Sequence, residues 1–169
     1  MGSGKSTVGQ LLADEMKWMF VDLDYFIEKR TALPISEIFR RYGEVEFRTL
    51  ETSALRKQSA QEKLVVACGG GAPCFGDNLN IMKNQGVVIY LKASPELIVE
   101  RVQKDVNNIR PLLQNMSGAT LRNYVHLHLR KREEYYEQAD HIISVHNDLQ
   151  TIVQEILITV DSNGLLHQF

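Results

Sequence analysis

An α/β fold with a mainly parallel sheet is predicted by three features of this 169-residue chain. Short apolar runs alternate with longer segments of helical periodicity, the pattern of successive strand–helix units. Residues 2–7 read GSGKST, the end of the phosphate-binding pattern G-x-x-x-x-G-K-[ST], which lies between a strand and a helix. The length suits one domain with a proper core. The expected organisation is a single domain over 1–160, with a lid at about 107–118 and a tail at 161–169.

The elements follow in order. Val8, Leu11, Leu12 and Met16 recur at helical spacing, so a helix starts near Gly4 and runs to about Lys17. WMFVD, residues 18–22, is an apolar run ending in an acid and reads as a buried strand. Helices are expected over 24–29 and 36–42, the second with Ser36 as N-cap, and over 44–57 with Phe47, Leu50 and Ala54 on one face. KLVVAC, residues 63–68, is the second strand and runs directly into Gly69, Gly70 and Gly71. A helix at 78–84 leads to the third strand, 87–91. Ser94-Pro95-Glu96 opens the next helix with a capping residue and a proline at the first helical position. NNIRPLLQNMSG is polar and irregular, long enough to be a lid. A long helix covers 119–138, HIISV at 141–145 is the fourth strand, and Leu149, Ile152, Val153, Ile156 and Leu157 mark a closing amphipathic helix.

Composition narrows the function classes. The chain is 44% hydrophobic and 24% charged, with a formal net charge of -2. That balance points away from nucleic acid or an anionic membrane as the main partner. No apolar run approaches the ~18 residues of a membrane span, and the N-terminus lacks a secretory pattern. Cys68 and Cys74 form no CxxC pair and suit a reducing compartment. The expectation is a cytoplasmic monomer, since no apolar surface stripe is left unassigned.

Several constellations carry chemistry. In the opening loop, Gly2, Ser3, Gly4, Lys5, Ser6 and Thr7 would wrap phosphates with backbone N–H groups at a helix N-terminus. Lys5 would reach the outer phosphates and the Ser6 hydroxyl would coordinate Mg2+. Asp22 and Asp24 end a strand two residues apart and can both point out of the carboxyl edge of the sheet, where open α/β sheets bind ligands. One acid could hold Mg2+ through water and the other accept the proton of a substrate hydroxyl; alternatively Asp24 caps the next helix. Glu44, Arg48 and Glu51 share a helix face. They form either a surface ion-pair ladder or a carboxylate clamp in which Glu51 orients the Arg48 fork. The three glycines permit close approach of main chain to a ligand or make a tight turn. Arg110 is a lid arginine or a solvated loop residue. Arg132 falls on the apolar stripe of Leu121, Val125, Leu129 and Tyr136. A charge there is costly unless paired, so it meets an internal acid or an anionic ligand. His126 and His128 face different ways on their helix and do not make a metal pair.

In this order, GSGKST, DLD, GEVEFR-x-x-E, a strand ending in GGG, RPLL and KR-x-x-x-Y resemble the shikimate kinase family, over residues 2 to about 145. The resemblance implies a three-layer αβα P-loop kinase with a parallel sheet of order 2-3-1-4-5. It also implies transfer of the ATP γ-phosphate to the 3-hydroxyl of shikimate, in chorismate and aromatic amino acid biosynthesis. It assigns ATP phosphates and Mg2+ to Gly2, Gly4, Lys5, Ser6 and Thr7, and water-mediated Mg2+ binding to Asp22. Asp24 would hydrogen-bond the reacting hydroxyl. Arg48, Arg132, Gly69, Gly70 and Gly71 would hold shikimate, and Arg110 would close on the transferring phosphate. Arg101 and the stretch near Asn147 are the nearest candidates for adenine. A gluconate-type or nucleoside monophosphate kinase, or a non-catalytic module on the same fold, is the alternative.

The chain departs from the family pattern at its start, where the first strand and the first loop glycine are absent. The corresponding strand is the central one of the sheet. The expectation is that Met1 is an internal methionine of the loop, with the natural chain beginning roughly ten residues earlier, one strand plus the start of the loop.

Overall fold

A computed structural model of the chain describes residues 2–104, 116, 118–145 and 148–162. The elements run α1 (Lys5–Met16), β1 (Met19–Asp22), α2 (Leu23–Thr31), α3 (Ile35–Ser59), β2 (Leu64–Ala67), a 3-10 turn (Ala72–Cys74), α4 (Asn78–Gln85), β3 (Ile89–Lys92), α5 (Pro95–Lys104), α6 (Gly118–Tyr136), β4 (His141–Ser144) and α7 (Leu149–Ser162). All the expected strands and helices are present, with ends shifted by a few residues.

The strands form two parallel pairs. Met19 to Asp22 lie opposite Leu64 to Ala67, and Ile89 to Lys92 lie opposite His141 to Ser144. Among the described residues no pairing joins β2 to β3. Both pairs are parallel, as an α/β fold of this kind requires.

Two apolar clusters hold the layers. Val8 and Leu12 of α1 pack with Ile98 and Val99 of α5, Leu121 and Val125 of α6, Ile143 of β4, and Ile152, Val153 and Ile156 of α7; Val65, Ile89 and Leu91 lie against them. Leu23 and Ile27 of α2 pack with Ile38, Phe47, Ala54 and Leu55 of α3, and Val66 lies against that second cluster. Adjacent residues of β2 thus serve opposite faces, as the two-residue period of a strand buried on both sides requires. At Gly9 the helix approaches β1 so closely that a Cβ would lie 2.8 Å from Phe20 Cε2.

The helices expected over 36–42 and 44–57 are two arms of α3, divided at Gly43 (φ 81°, ψ 176°). Ser36 is not the N-cap: Pro34 holds that position, with no side-chain cap. The orphan N–H of Ile35 instead donates to Glu28 Oε1 of α2 at 2.8 Å, so a neighbouring helix does the capping. Ser94 does cap α5, its Oγ accepting from Leu97 N at 3.1 Å. No helix among the described residues is long and apolar enough to cross a membrane.

Ile38 is fully buried, whereas Val45 on the same helix is 74% exposed. Ile38→Ala is expected to lower the unfolding free energy by about 2–5 kcal/mol through lost burial and the cavity left behind. Val45→Ala should stay within about 0.5 kcal/mol. Urea melts of the two variants check both values.

Candidate active site

The phosphate loop owes its shape to two glycines. Gly2 and Gly4 have φ of 64° and 88°, left-handed values that any side chain would strain. Gly4 is the N-cap of α1, and its carbonyl starts the helix by accepting from Val8 N at 2.9 Å. The first N–H groups of α1 therefore face outward with no intrahelical acceptor, the arrangement that binds anions. Arg101 of α5 braces the loop from behind, its Nη1 donating to Gly2 O at 3.2 Å and Ser3 O at 3.0 Å. A trans peptide sets its N–H opposite its carbonyl. With those carbonyls turned to Arg101, the N–H groups of Ser3 and Gly4 point away from it. Composition and spacing gave no signal for this brace.

Asp22 ends β1 and serves two neighbours at once. Its Oδ1 accepts from Asp24 N at 3.0 Å and Tyr25 N at 3.4 Å, capping α2. Its Oδ2 accepts from Ser6 Oγ at 2.5 Å and Lys5 Nζ at 3.2 Å. A carboxylate beside a hydroxyl at the mouth of a phosphate loop is a hard-oxygen donor set of the kind Mg2+ takes together with phosphate oxygens. Asp24 is not the cap, and it does not lie on the strand: it sits in the first turn of α2.

Beyond Asp24 lies a buried ion pair. Arg48 Nη1 meets Glu51 Oε2 at 2.5 Å, with side-chain exposures of 11% and 1%. This excludes a surface ladder as the role of the pair; only Glu44, which meets Arg48 Nη2 at 3.3 Å, is exposed. Burial raises the Glu51 pKa, against the opposing pull of Arg48. Glu51 Oε1 is buried without a hydrogen-bond partner among the described residues. The glycine strip closes over this pair. A Cβ on Gly69 would lie 3.0 Å from Glu51 Oε1 and 3.2 Å from Asp24 Oδ1, and one on Gly71 would lie 2.3 Å from Arg48 Nη2. Gly71 thus leaves the room that the Arg48 guanidinium occupies, and Gly69 is tightly packed against two carboxylates. The 3-10 turn that follows is held by Asn78 Nδ2, which donates to Ala72 O at 3.0 Å.

Arg132 of α6 reaches the same region. It acts electrostatically on Glu51, Cys74 and Tyr136, and Arg48 acts on the same three. Unlike Arg48, it makes no ion pair among the described residues. Tyr136, one turn further along α6, donates its hydroxyl to Gly70 O at 2.6 Å. Sequence reasoning gave Tyr136 no role beyond its place in KR-x-x-x-Y and on the helix stripe.

Arg110, most of the expected lid and Asn147 lie outside the described residues. His126 lies 3.9 Å from Glu96. No cluster of histidine, cysteine, aspartate and glutamate among the described residues has metal-site geometry.

The Asp22 contacts carry a pH dependence. Burial pushes its pKa up, but the Ser6 hydroxyl, the Lys5 ammonium and the Tyr25 N–H outweigh burial and leave it below the usual value. A depressed folded-state pKa contributes stability that is present above the unfolded pKa and lost as pH falls through the folded one. The stability difference between wild type and Asp22→Asn is expected to be constant above about pH 5 and to shrink below about pH 4. Thermal melts from pH 7 to 3 read it; a difference independent of pH would contradict the coupling to Lys5.

The Shikimate kinase family model matches residues 1–161. The shikimate kinase of Parabacteroides distasonis is 37% identical over 166 residues, 98% of this chain and 93% of the relative. That of Moorella thermoacetica is 42% identical over 140 residues, 83% and 78% of the two chains. The crystal structure of the Bacteroides thetaiotaomicron shikimate kinase superposes with a TM-score of 0.91 at 32% identity, covering 95% of this chain and 94% of that one. The Acinetobacter baumannii shikimate kinase in complex with shikimate gives 0.88 at 36% identity, covering 98% and 90%. Phosphate loop, carboxylate pair, arginine-lined glycine strip and overall match agree: the chain belongs to the shikimate kinase family.

Proposed function

We propose that the chain transfers the γ-phosphate of ATP to the 3-hydroxyl of shikimate, with the phosphate loop holding the donor and the arginine–glycine pocket holding the acceptor. One observation carries this reading. Asp24 lies between the two halves, two residues from the α2 cap that also holds Lys5 and Ser6, and beside Gly69 and Glu51. A carboxylate in that position faces both a donor phosphate and an acceptor hydroxyl.

The loop N–H groups, Lys5 and the N-terminus of α1 bind the phosphate chain. Ser6, and Asp22 through water, would hold Mg2+, which when bound neutralises charge on the phosphates. Arg48, held in orientation by Glu51, and Arg132 take the shikimate carboxylate, and the Cβ-free strip of Gly69, Gly70 and Gly71 lets the ring approach the main chain. The acceptor oxygen attacks the γ-phosphorus as the bond to the bridging oxygen of ADP breaks. Asp24 accepts the hydroxyl proton, and Arg110 neutralises charge on the group in transit. Such a reaction depends on positioning and on charge stabilisation.

Lys5→Ala is expected to lower kcat by about 100-fold or more, as loss of a charge-stabilising donor does; near-normal turnover would refute the phosphate-loop reading. Arg132→Ala should raise the shikimate KM roughly 10- to 100-fold, the cost of losing a charged hydrogen bond, with the ATP KM little changed. Equal loss of both affinities would remove Arg132 from the acceptor pocket. A panel containing gluconate and nucleoside monophosphates, assayed for ADP release, separates this activity from those of other small kinases.

A further inference from the structure

The phenol of Tyr136 closes a path between two parts of the acceptor pocket that belong to different elements. Its hydroxyl donates to Gly70 O at 2.6 Å, and Cys74 Sγ lies 3.8 Å from the same carbonyl. The Arg132 guanidinium, one helical turn away, acts on the phenol both as a charge and as a hydrogen-bond donor. The ring is set by tilted stacking on Tyr90 of β3, centroids 4.9 Å apart. Burial raises the Tyr136 pKa, so at neutral pH the group is a neutral donor to Gly70 and an acceptor toward Arg132.

Three consecutive glycines have no side chain to choose a backbone conformation. Gly69 and Gly71 are confined by the charged groups beside them, and the Gly70 carbonyl between them is held by Tyr136. The peptide after Gly70 has no side chain on either residue, and it is the one that Tyr136 grips. Fixing the carbonyl fixes the whole peptide plane, including the Gly71 N–H on its opposite side. That N–H is held pointing away from Tyr136.

We propose that Tyr136 is a positioning residue for the acceptor: its hydroxyl locks the Gly70–Gly71 peptide and steadies Arg132, so that the glycine strip and the second arginine meet the substrate together. The inference rests on the pocket assignment made above. It gives Tyr136 no contact with the reacting atoms.

Tyr136→Phe removes only the hydroxyl and keeps the stacking on Tyr90. The shikimate KM is expected to rise about 5- to 10-fold, the equivalent of one modest hydrogen bond, with kcat and the ATP KM changed less than about 2-fold. A purely structural tyrosine would lower the melting temperature and disturb both substrates alike. Because KM does not depend on the fraction of enzyme that is folded, the split is readable even in a destabilised variant. A shikimate KM within about 2-fold of wild type, or an equal rise in the ATP KM, overturns the proposal. Arg132→Ala assayed alongside separates the two levels. If Arg132→Ala raises the shikimate KM and Tyr136→Phe does not, the role of Tyr136 falls alone; if neither does, the pocket assignment falls and the proposal with it.

Discussion

The buried Arg48–Glu51 pair sets the terms for everything around it. Removing two charges from water costs several kcal/mol per ion unless each is well matched. The match here is a 2.5 Å contact between groups three residues apart on α3. The helix supplies the geometry without a long-range constraint, since residues at i and i+3 lie on one face. The rest of the neighbourhood must then accommodate a fixed guanidinium and a fixed carboxylate. A Cβ on Gly71 would force the Arg48 guanidinium to move, and Gly69 is crowded by Glu51 and Asp24. The glycine strip is thus a consequence of the ion pair as much as a means of approaching a ligand.

Asp22 performs a comparable task at the other half of the site. One oxygen satisfies the orphan N–H groups of α2 while the other holds Ser6 and Lys5. Strand, helix start and phosphate loop therefore meet at a single carboxylate. That economy places Asp24 correctly: once Asp22 caps α2, the first turn of the helix carries Asp24 to the edge of the glycine strip. A displacement of Asp22 would move both the loop contacts and Asp24 together.

The order of elements was legible because each has a local signature: apolar runs ending at Asp22 and Ala67, the Ser94-Pro95 start, the stripe of α6. The kink at Gly43 was legible as a boundary between two helices, though not as a bend in one. The cap of α3 was not, because Glu28 reaches it from another helix and tertiary contacts leave no local pattern. The same reason hid the Arg101 brace on Gly2 and Ser3 and the grip of Tyr136 on Gly70, which joins residues 66 positions apart. For Arg48 and Glu51, spacing suggested both a ladder and a clamp, and only burial decides between them.

The two arginines of the pocket differ in how their charge is spent, and this bears on what the pocket can bind. Arg48 is compensated by Glu51 and, at the surface, by Glu44; it offers a fixed, oriented fork more than net charge. Arg132 has no ion pair among the described residues and sits on a helix whose neighbouring stripe residues, Leu121 and Val125, are buried. A half-buried cation in that setting is poorly solvated, so a carboxylate arriving there displaces little water and regains the full interaction. On the proposed reading, Arg48 supplies direction and Arg132 supplies attraction. A planar carboxylate suits that pairing, because it can meet the oriented Arg48 fork and the Arg132 charge at once.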